Sequence, residues 1–299
     1  MNDPHPRTVA VIGVASGLGA PDPGCADGPQ VLRELHSFRS RATSVTWDDP
    51  LRPDARLAPP VEAIAELDTR LANRVQATLD AGQFPLIVGG DHSCAIGAWS
   101  GVRHWLAARG ALGLIWIDAH LDSHTFATTP SRAVHGMPLA CLLGYGEPSL
   151  TSIAMPEPKL LPEHVCLLGV RSYEQGEAAL LKKLGVRVIG MDETRERGVS
   201  AVLAEAIAIA GRGTAGFGVS IDLDVLDPAE EPGVGSPVPG GLSCHELEQA
   251  LRQLRNENGL LALEIVEYNP HRDREQLTAR AAGALFRAVL GGYARRKWT

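Results

Sequence analysis

Short apolar runs alternate along the chain with longer segments whose apolar residues recur at helical spacing. A strand that is covered on both faces reads as a continuous apolar run, so these runs predict central strands of a parallel sheet. We predict strands at residues 8–13, 84–88, 113–117, 164–169, 186–190, 217–221 and 261–266. We predict helices at residues 61–81, 94–108, 178–184, 200–210, 243–256 and 276–290. The alternation indicates an α/β fold with helices on both faces of the sheet.

Two further segments have local patterns of their own. Residues 147–162 are rich in Pro and Ser and have no clear period, which predicts a surface loop, and loops of this length are often functional. Ser243 precedes Glu246 by three residues at a predicted helix start, a capping-box pattern whose meaning is structural. There is no internal repeat and no low-complexity linker, so we expect the 299 residues to form one domain, 1–299.

Three polar clusters follow directly after apolar runs, at the predicted carboxyl ends of strands, where open α/β sheets bind ligands. The clusters are residues 89–93 (GGDHS), 118–122 (DAHLD) and 222–224 (DLD). Side chains at i, i+2 and i+4 of an extended segment point to one side, so Asp118, His120 and Asp122 can converge on one point. The same spacing brings Asp222 and Asp224 together. We therefore expect a shared site at this edge of the sheet.

The candidate ligands are four carboxylates and two imidazoles: His92, Asp118, His120, Asp122, Asp222 and Asp224. Four carboxylates packed together repel one another, and some stay protonated unless cations neutralise them. Two divalent cations remove this conflict, and mixed oxygen and nitrogen ligands suit Mn²⁺, with Fe, Co, Ni or Zn as alternatives. For any single cluster the alternative is structural, since an Asp at a strand end often caps a helix or begins a turn. Three such clusters together favour a metal site.

Composition narrows the classes of partner. The net charge is −7, and apart from the short run at residues 295–297 no basic stretch is present, so we expect no nucleic acid partner. No apolar run reaches membrane-spanning length, so we expect no membrane partner. Residues 1–7 are polar and do not have the pattern of a signal peptide. Five scattered cysteines without a C-x-x-C pair indicate reduced thiols in a cytoplasmic protein.

The three clusters resemble the signature motifs of the arginase/agmatinase (ureohydrolase) family, and the third lies within SIDLDVLDP at residues 220–228. Residues 20–33 are similar to the N-terminal segment of arginases, residues 135–138 (HGMP) to their HG-x-P motif and residues 267–270 (EYNP) to their E-x-N-P motif. The matches run in consistent order over nearly the whole chain and are closest in pattern to arginase. This resemblance implies a three-layer α/β/α fold with a central, mainly parallel sheet, like that of arginases and deacetylases. It also implies a homo-trimer or homo-hexamer.

The resemblance further implies two Mn²⁺ ions and the hydrolysis of a guanidino group to urea and an amine. One ion would be held by His92, Asp118, Asp122 and Asp222. The other would be held by Asp118, His120, Asp222 and Asp224, so that two of the aspartates bridge. Asp122 would also orient the attacking nucleophile, and His135 would carry a proton to the leaving amine, because imidazole titrates near neutrality. Glu267 would pair with the substrate guanidinium through a charge-assisted contact.

The substrate pocket is where the sequence departs from the arginase pattern. Ser131 matches an arginase contact to the substrate carboxylate, and Glu174 stands where arginases usually have an Asp. His124 and Ala133 stand at positions that are usually Asn, and Arg132 stands at one that is usually Gly. The missing Asn side chain would donate to the substrate carboxylate, and either His124 or Arg132 could replace it as a donor. For Arg132, a solvated position at the rim of the pocket is an equal alternative. We expect arginine or a related guanidino acid as the small-molecule substrate.

Three other functions are open at this stage. A formimino substrate would undergo the same hydrolysis and release formamide instead of urea. Amide hydrolysis of the deacetylase kind uses a related fold, typically with a single Zn²⁺, and the complete set of six ligands argues against it. A catalytically silent member of the family could serve as an oligomeric binding subunit, but such proteins usually lose metal ligands.

Overall fold

The centre of the molecule is an eight-stranded sheet in which every pair of neighbouring strands is parallel. This computed structural model describes residues 8–39, 43–57 and 60–291, so residues 1–7 and the basic run at 295–297 lie outside it. The strands are β1 (Thr8–Gly13), β2 (Ser44–Trp47), β3 (Phe84–Val88), β4 (Leu112–Ile117), β5 (Val165–Val170), β6 (Arg187–Gly190), β7 (Gly216–Asp222) and β8 (Leu260–Val266). Their order across the sheet is β2-β1-β3-β8-β7-β4-β5-β6.

Helices cover both faces of the sheet. They are α1 (Gly28–Glu34), α2 (Pro60–Asp80), α3 (Ala95–Trp105), α4 (Pro138–Leu142), α5 (Pro148–Thr151), α6 (Gln175–Leu184), α7 (Met191–Arg197), α8 (Val199–Gly211), α9 (Cys244–Leu251) and α10 (Leu277–Leu290). Apolar residues of α1 and α7–α10 pack on one face of the sheet, and those of α2, α3, α4 and α6 pack on the other. The predicted three-layer α/β/α fold is therefore confirmed.

Successive residues of each central strand belong to opposite cores. Ile115 and Ile117 of β4 pack with the α8–α10 layer, whereas Leu114 and Trp116 pack with the α2–α3 layer. This alternation follows from the pleat, which turns neighbouring side chains to opposite faces. It explains why β4 is apolar at all six positions and is fully buried.

The structure differs from the sequence-based prediction in three places. Strand β2 was not predicted, because it lies at the sheet edge and its residues are only exposed or half-buried. Helices α1, α4 and α7 were also missed, since each is too short to establish a helical period. The segment at 147–162 is not simply a surface loop: it contains α5, and Leu150, Ile153 and Leu160 are buried.

The predicted capping box at the start of α9 is present. The Ser243 hydroxyl accepts from the backbone N–H of Glu246, and the Glu246 carboxylate accepts from the backbone N–H of Ser243. The helix ends at Leu251, and a 3-10 segment, Arg252–Asn256, continues it to the predicted boundary. Among the described residues, no helix is long and apolar enough to cross a membrane.

Candidate active site

Four adjacent strands carry the predicted site. In the order β3-β8-β7-β4 they are the centre of the sheet, and all of them end at the same edge because they are parallel. His92 follows β3, Asp118 follows β4, and Asp222 is the last residue of β7. Glu267 follows β8 directly. Residues that are far apart in the sequence are thereby brought to one point.

The first ligand cluster surrounds the imidazole of His92. Its Nδ1 atom lies 3.0 Å from Asp122 Oδ2, 3.1 Å from Asp222 Oδ2 and 3.3 Å from Asp118 Oδ2. All four residues are buried, and their donor atoms lie close enough together to hold one metal ion.

The second cluster shares Asp118 with the first. His120 Nδ1 lies 3.0 Å from Asp224 Oδ2 and 3.5 Å from Asp118 Oδ1, and the three groups could hold a second ion. Asp222 was also predicted to bridge, but in this arrangement its second carboxylate oxygen accepts a hydrogen bond of 2.8 Å from the backbone N–H of Asp224. The structure thus brings all six predicted ligands together, and the bridging role of Asp222 stays a prediction.

The electrostatics of the clusters call for positive charge. Burial and the charge of Asp118 raise the pKa of Asp122 to about 6. Burial and the charges of Asp224 and Asp118 raise the pKa of Asp222 well above its usual value. Like charges in a buried site disfavour ionisation of one another, and divalent cations relieve that repulsion. Carboxylate oxygens and imidazole nitrogens are also ligands that first-row divalent metals accept, so the donor set fits such ions.

A chain of buried polar groups fixes the far side of the His92 ring. Its Nε2 lies 2.9 Å from Ser220 Oγ, and the Ser220 hydroxyl donates to Glu264 Oε2 over 2.6 Å. The ring stacks on Trp116 with a centroid distance of 4.2 Å, and the Trp116 indole donates to Asp118 over 2.8 Å. Sequence reasoning missed these residues, although a glutamate inside the otherwise apolar β8 is a signal that could have revealed Glu264.

Glu267 is held by protein groups on both carboxylate oxygens. Oε1 accepts from the backbone N–H of His92 at 2.9 Å and lies 3.1 Å from His135 Nδ1, and Oε2 accepts from the Cys25 thiol at 3.3 Å. Burial lowers the pKa of His135, but the hydrogen bond and charge of Glu267 outweigh this effect and raise it to about 9. The contact that the structure shows for Glu267 is therefore with the predicted proton carrier, and its pairing with a substrate stays a prediction.

Two site residues have left-handed backbone angles. Asp122 has φ 47° and Glu267 has φ 64°. Residues other than glycine rarely adopt this region, and such strain is concentrated at functional sites. Both side chains are aimed at the cluster by a backbone conformation that costs stability.

A small cavity opens above the clusters. Its volume is about 150 Å³. It is lined by His120, Asp122, His124, Thr129, Pro130, Ser131, Ala133, His135, Gly136, Glu174, Glu177, Asp222, Asp224 and Ser236. Ligand and proton-carrier candidates thus form its floor, and the predicted substrate residues His124, Ser131 and Glu174 form its wall.

Arg132 is placed differently from the other predicted substrate residues. It is exposed and has φ 61°, and its guanidinium lies over the ring of Phe126 at 5.2 Å. It does not line the cavity in this arrangement. Its role as a carboxylate partner stays a prediction.

The fold and the paired carboxylate–histidine clusters define a metal-dependent hydrolase. The family model described as Arginase family matches residues 7–291, and the chain belongs to this family. It is 39% identical over 296 residues to the arginase of Brevibacillus brevis, covering 95% of this chain and 98% of that one. It is also 35% identical over 296 residues to the arginase of Bacillus subtilis (strain 168), with the same coverage.

Solved structures agree with these sequence comparisons. The crystal structure of arginase from Bacillus subtilis has a TM-score of 0.89 and 34% identity, covering 95% of this chain and 99% of that one. The formimidoylglutamase of Bacillus subtilis subsp. subtilis str. 168 has a TM-score of 0.79 at 24% identity, covering 98% of this chain and 89% of that one. The second likeness is one of fold alone.

Proposed function

We propose that this protein hydrolyses the guanidino group of arginine or a related guanidino acid, with urea and an amine as products. The observation that carries the proposal is the pair of buried ligand clusters, joined through Asp118, at the floor of a small cavity. The membership of the arginase family supports the same reaction.

Two Mn²⁺ ions per chain are the proposed cofactors. His92, Asp118, Asp122 and Asp222 would hold one ion, and Asp118, His120, Asp222 and Asp224 would hold the other. When bound, such ions supply the Lewis-acid chemistry that activates water at neutral pH. A guanidinium carbon is a poor electrophile, since resonance spreads its charge over three nitrogens, so the reaction depends on this activation.

The side chains around the cavity supply orientation and protons. Asp122 lines the cavity and accepts a hydrogen bond from the attacking water, which fixes the direction of attack. Water adds to the guanidino carbon, and Asp122 takes one of its protons and passes it to the substituted nitrogen as the bond from that carbon to that nitrogen breaks. His135 donates a proton to the leaving amine and recovers one from the second O–H of the added water, which leaves urea. Glu267 keeps His135 protonated and in place. We also propose that Glu267 pairs with the guanidinium of the bound substrate.

Urea release by the Mn²⁺-loaded protein tests the proposal. The panel contains L-arginine, agmatine, 4-guanidinobutyrate, 3-guanidinopropionate, guanidine and N-formimino-L-glutamate. We expect urea from at least one guanidino acid, and a loss of at least about a hundredfold in kcat for Asp122→Asn and His135→Asn. His245→Asn, a change on the exposed first turn of α9, serves as the matched control and should retain activity.

The remaining outcomes are distinct. Formamide from N-formimino-L-glutamate, without urea from any guanidino compound, would replace the proposal with a formimino hydrolase. If no substrate reacts while two equivalents of metal per chain are measured, the substrate is instead an amide outside this panel, whereas a silent member of the family need not bind two equivalents. Both results would contradict guanidino hydrolysis.

The proposal extends to assembly and compartment. We propose a homo-trimer or homo-hexamer, in keeping with the motif resemblance, and sedimentation velocity measures the number of chains. We propose a cytoplasmic protein because all five cysteines are free thiols, four of them buried, which suits a reducing compartment.

A further inference from the structure

The lining of the cavity contains one acid pair outside the two ligand clusters. Glu174 and Glu177 are the two carboxylates among the lining residues that belong to neither ligand cluster. Lys and Arg are absent from the lining residues in the described part of the chain. A positively charged group on the tail of a substrate would therefore find its partners at this pair.

That pair is already engaged by a histidine. His124 Nε2 lies 2.8 Å from Glu174 Oε2 and 3.3 Å from Glu177 Oε2. Contact with carboxylate oxygens requires a proton on Nε2, so the imidazole donates where a substrate ammonium would donate. The structure thus supplies a donor of its own to Glu174 and places the same nitrogen within 3.3 Å of Glu177.

His124 is fixed in this place from several directions. Its backbone N–H donates to the Gly136 carbonyl over 2.9 Å, and its Nδ1 atom lies 3.1 Å from Thr128 Oγ1. The side chain is only 7% exposed. Glu177 is also fixed, because its Oε1 atom accepts from the backbone N–H of Glu174 in the capping box of α6. Displacing the imidazole would break its contact with Thr128 and its contacts with both acids together.

We infer that His124 determines substrate specificity by occupying the acid pair that would bind a substrate amino group, so that this site favours a guanidino carboxylic acid without an α-amino group. The inference rests on the proposed function and narrows its substrate class. The rest of the wall suits a carboxylate tail, because the Thr129 and Ser131 hydroxyls lie 3.3 Å apart at the cavity.

The test compares two substrates that differ only in the amino group: L-arginine and 5-guanidinopentanoate. With the Mn²⁺-loaded wild-type protein we expect kcat/KM to favour 5-guanidinopentanoate by at least about tenfold, since arginine would bury an ammonium whose partners are taken. His124→Asn frees the pair and should shift the ratio towards arginine by at least about tenfold, mainly through a lower KM. His245→Asn is the matched control and should leave the ratio unchanged.

A double-mutant cycle assigns the shift to the acid pair. Adding Glu177→Gln to His124→Asn should abolish the gain for arginine, because the freed carboxylate is what would bind the ammonium. A measurement on the wild-type protein avoids any effect of the variants on folding: 5-aminopentanoate should inhibit more strongly than L-ornithine.

The outcomes distinguish a failure of the inference about His124 from a failure of the proposed guanidino hydrolysis. Preference of the wild-type protein for arginine, or an unchanged ratio in His124→Asn with two metal equivalents bound, would overturn the role of His124. If neither compound releases urea from metal-loaded wild-type protein, then guanidino hydrolysis itself is wrong.

Discussion

Single acidic residues at this site are buried and accept hydrogen bonds from neighbouring side chains. Glu264 shows this most clearly: it is fully buried in β8, yet it accepts from Ser220 at 2.6 Å and from the Trp99 indole at 2.9 Å. Because Ser220 in turn contacts His92, the glutamate acts on the ligand cluster through another side chain. Such outer partners orient metal-binding imidazoles.

Glu264→Ala should weaken metal binding. We expect Mn²⁺ affinity at the His92 cluster to fall by about 10–100-fold, because the ring loses the chain of hydrogen bonds that orients it. Titration calorimetry on metal-free protein measures the affinity. Glu264→Gln retains an acceptor oxygen and should recover most of it. Equal affinity in all three proteins would mean that Ser220 alone orients the ring.

A second buried acid has no matching partner. Asp68 in α2 is 1% exposed, and neither carboxylate oxygen has a hydrogen-bond partner among the described residues. Burial raises its pKa well above the usual value. Folding at neutral pH therefore takes up a proton, and the stability that this group contributes in acid is lost as the pH rises.

Asp68→Asn removes the proton requirement and keeps the shape of the side chain. The variant should have a higher Tm than the wild-type protein at pH 8, and the difference should shrink at pH 5. Differential scanning calorimetry at the two pH values measures this. Asp80→Asn, at the exposed end of the same helix, is the control. A difference of the same size at both pH values would show that the charge of Asp68 is not the cause.

At the scale of elements, the close approach of α3 to the sheet depends on glycine. Gly218 lies in the middle of β7, and a Cβ atom there would meet the Trp99 ring at 1.9 Å. The same indole donates to Glu264, so packing between the helix and the strand also positions the polar chain behind His92. Packing of α3 and alignment of the ligand cluster are therefore linked.

Gly218→Ala should destabilise the protein by at least about 1–3 kcal/mol, because a packed core cannot accommodate the added methyl group without shifting Trp99. Urea unfolding followed by circular dichroism measures the change in the free energy of unfolding. Gly211→Ala is the matched control, since a Cβ atom there meets nothing within 4 Å. Equal stability of the two variants would contradict the close-packing argument.

At the scale of the whole molecule, the repulsion between buried carboxylates opposes folding of the metal-free chain. Asp118, Asp122, Asp222 and Asp224 are all buried at one edge of the sheet. Cations that bind only the folded state lower its free energy. Their charge also relieves the repulsion between the carboxylates. The stability of the fold is thereby linked to occupation of the site.

Removal of metal should lower the Tm. At a free Mn²⁺ concentration of about 100 times Kd the expected gain is about 2.7 kcal/mol for one site, or roughly 4 °C for a chain of 299 residues. Thermal melts of the protein in EDTA, and of the same protein after Mn²⁺ is added back, measure the difference in Tm. Asp118→Asn removes the ligand that the clusters share and should lose most of the shift. Identical melts of the wild-type protein with and without metal would contradict linkage.

The sequence by itself determined seven of the eight described strands, including the edge strand β6, together with most long helices and the six candidate ligands. Strands that are buried on both faces have a local signature, and spacing of two along an extended segment places Asp118, His120 and Asp122 on one side. Those inferences depend only on neighbours in the chain. The edge strand β2 and the short helices escaped because their local patterns are weak.

Only the tertiary structure decided which distant groups meet. The strand order places β8 between β3 and β7, and this brings Glu264 to Ser220 and Glu267 to His135. The contact of His124 with the α6 acid pair joins residues 50 and 53 positions apart. No local pattern encodes such pairings, because they result from packing the layers against one another. The clustering of the six candidate ligands was therefore predictable, whereas their supporting contacts and the shape of the substrate wall were not.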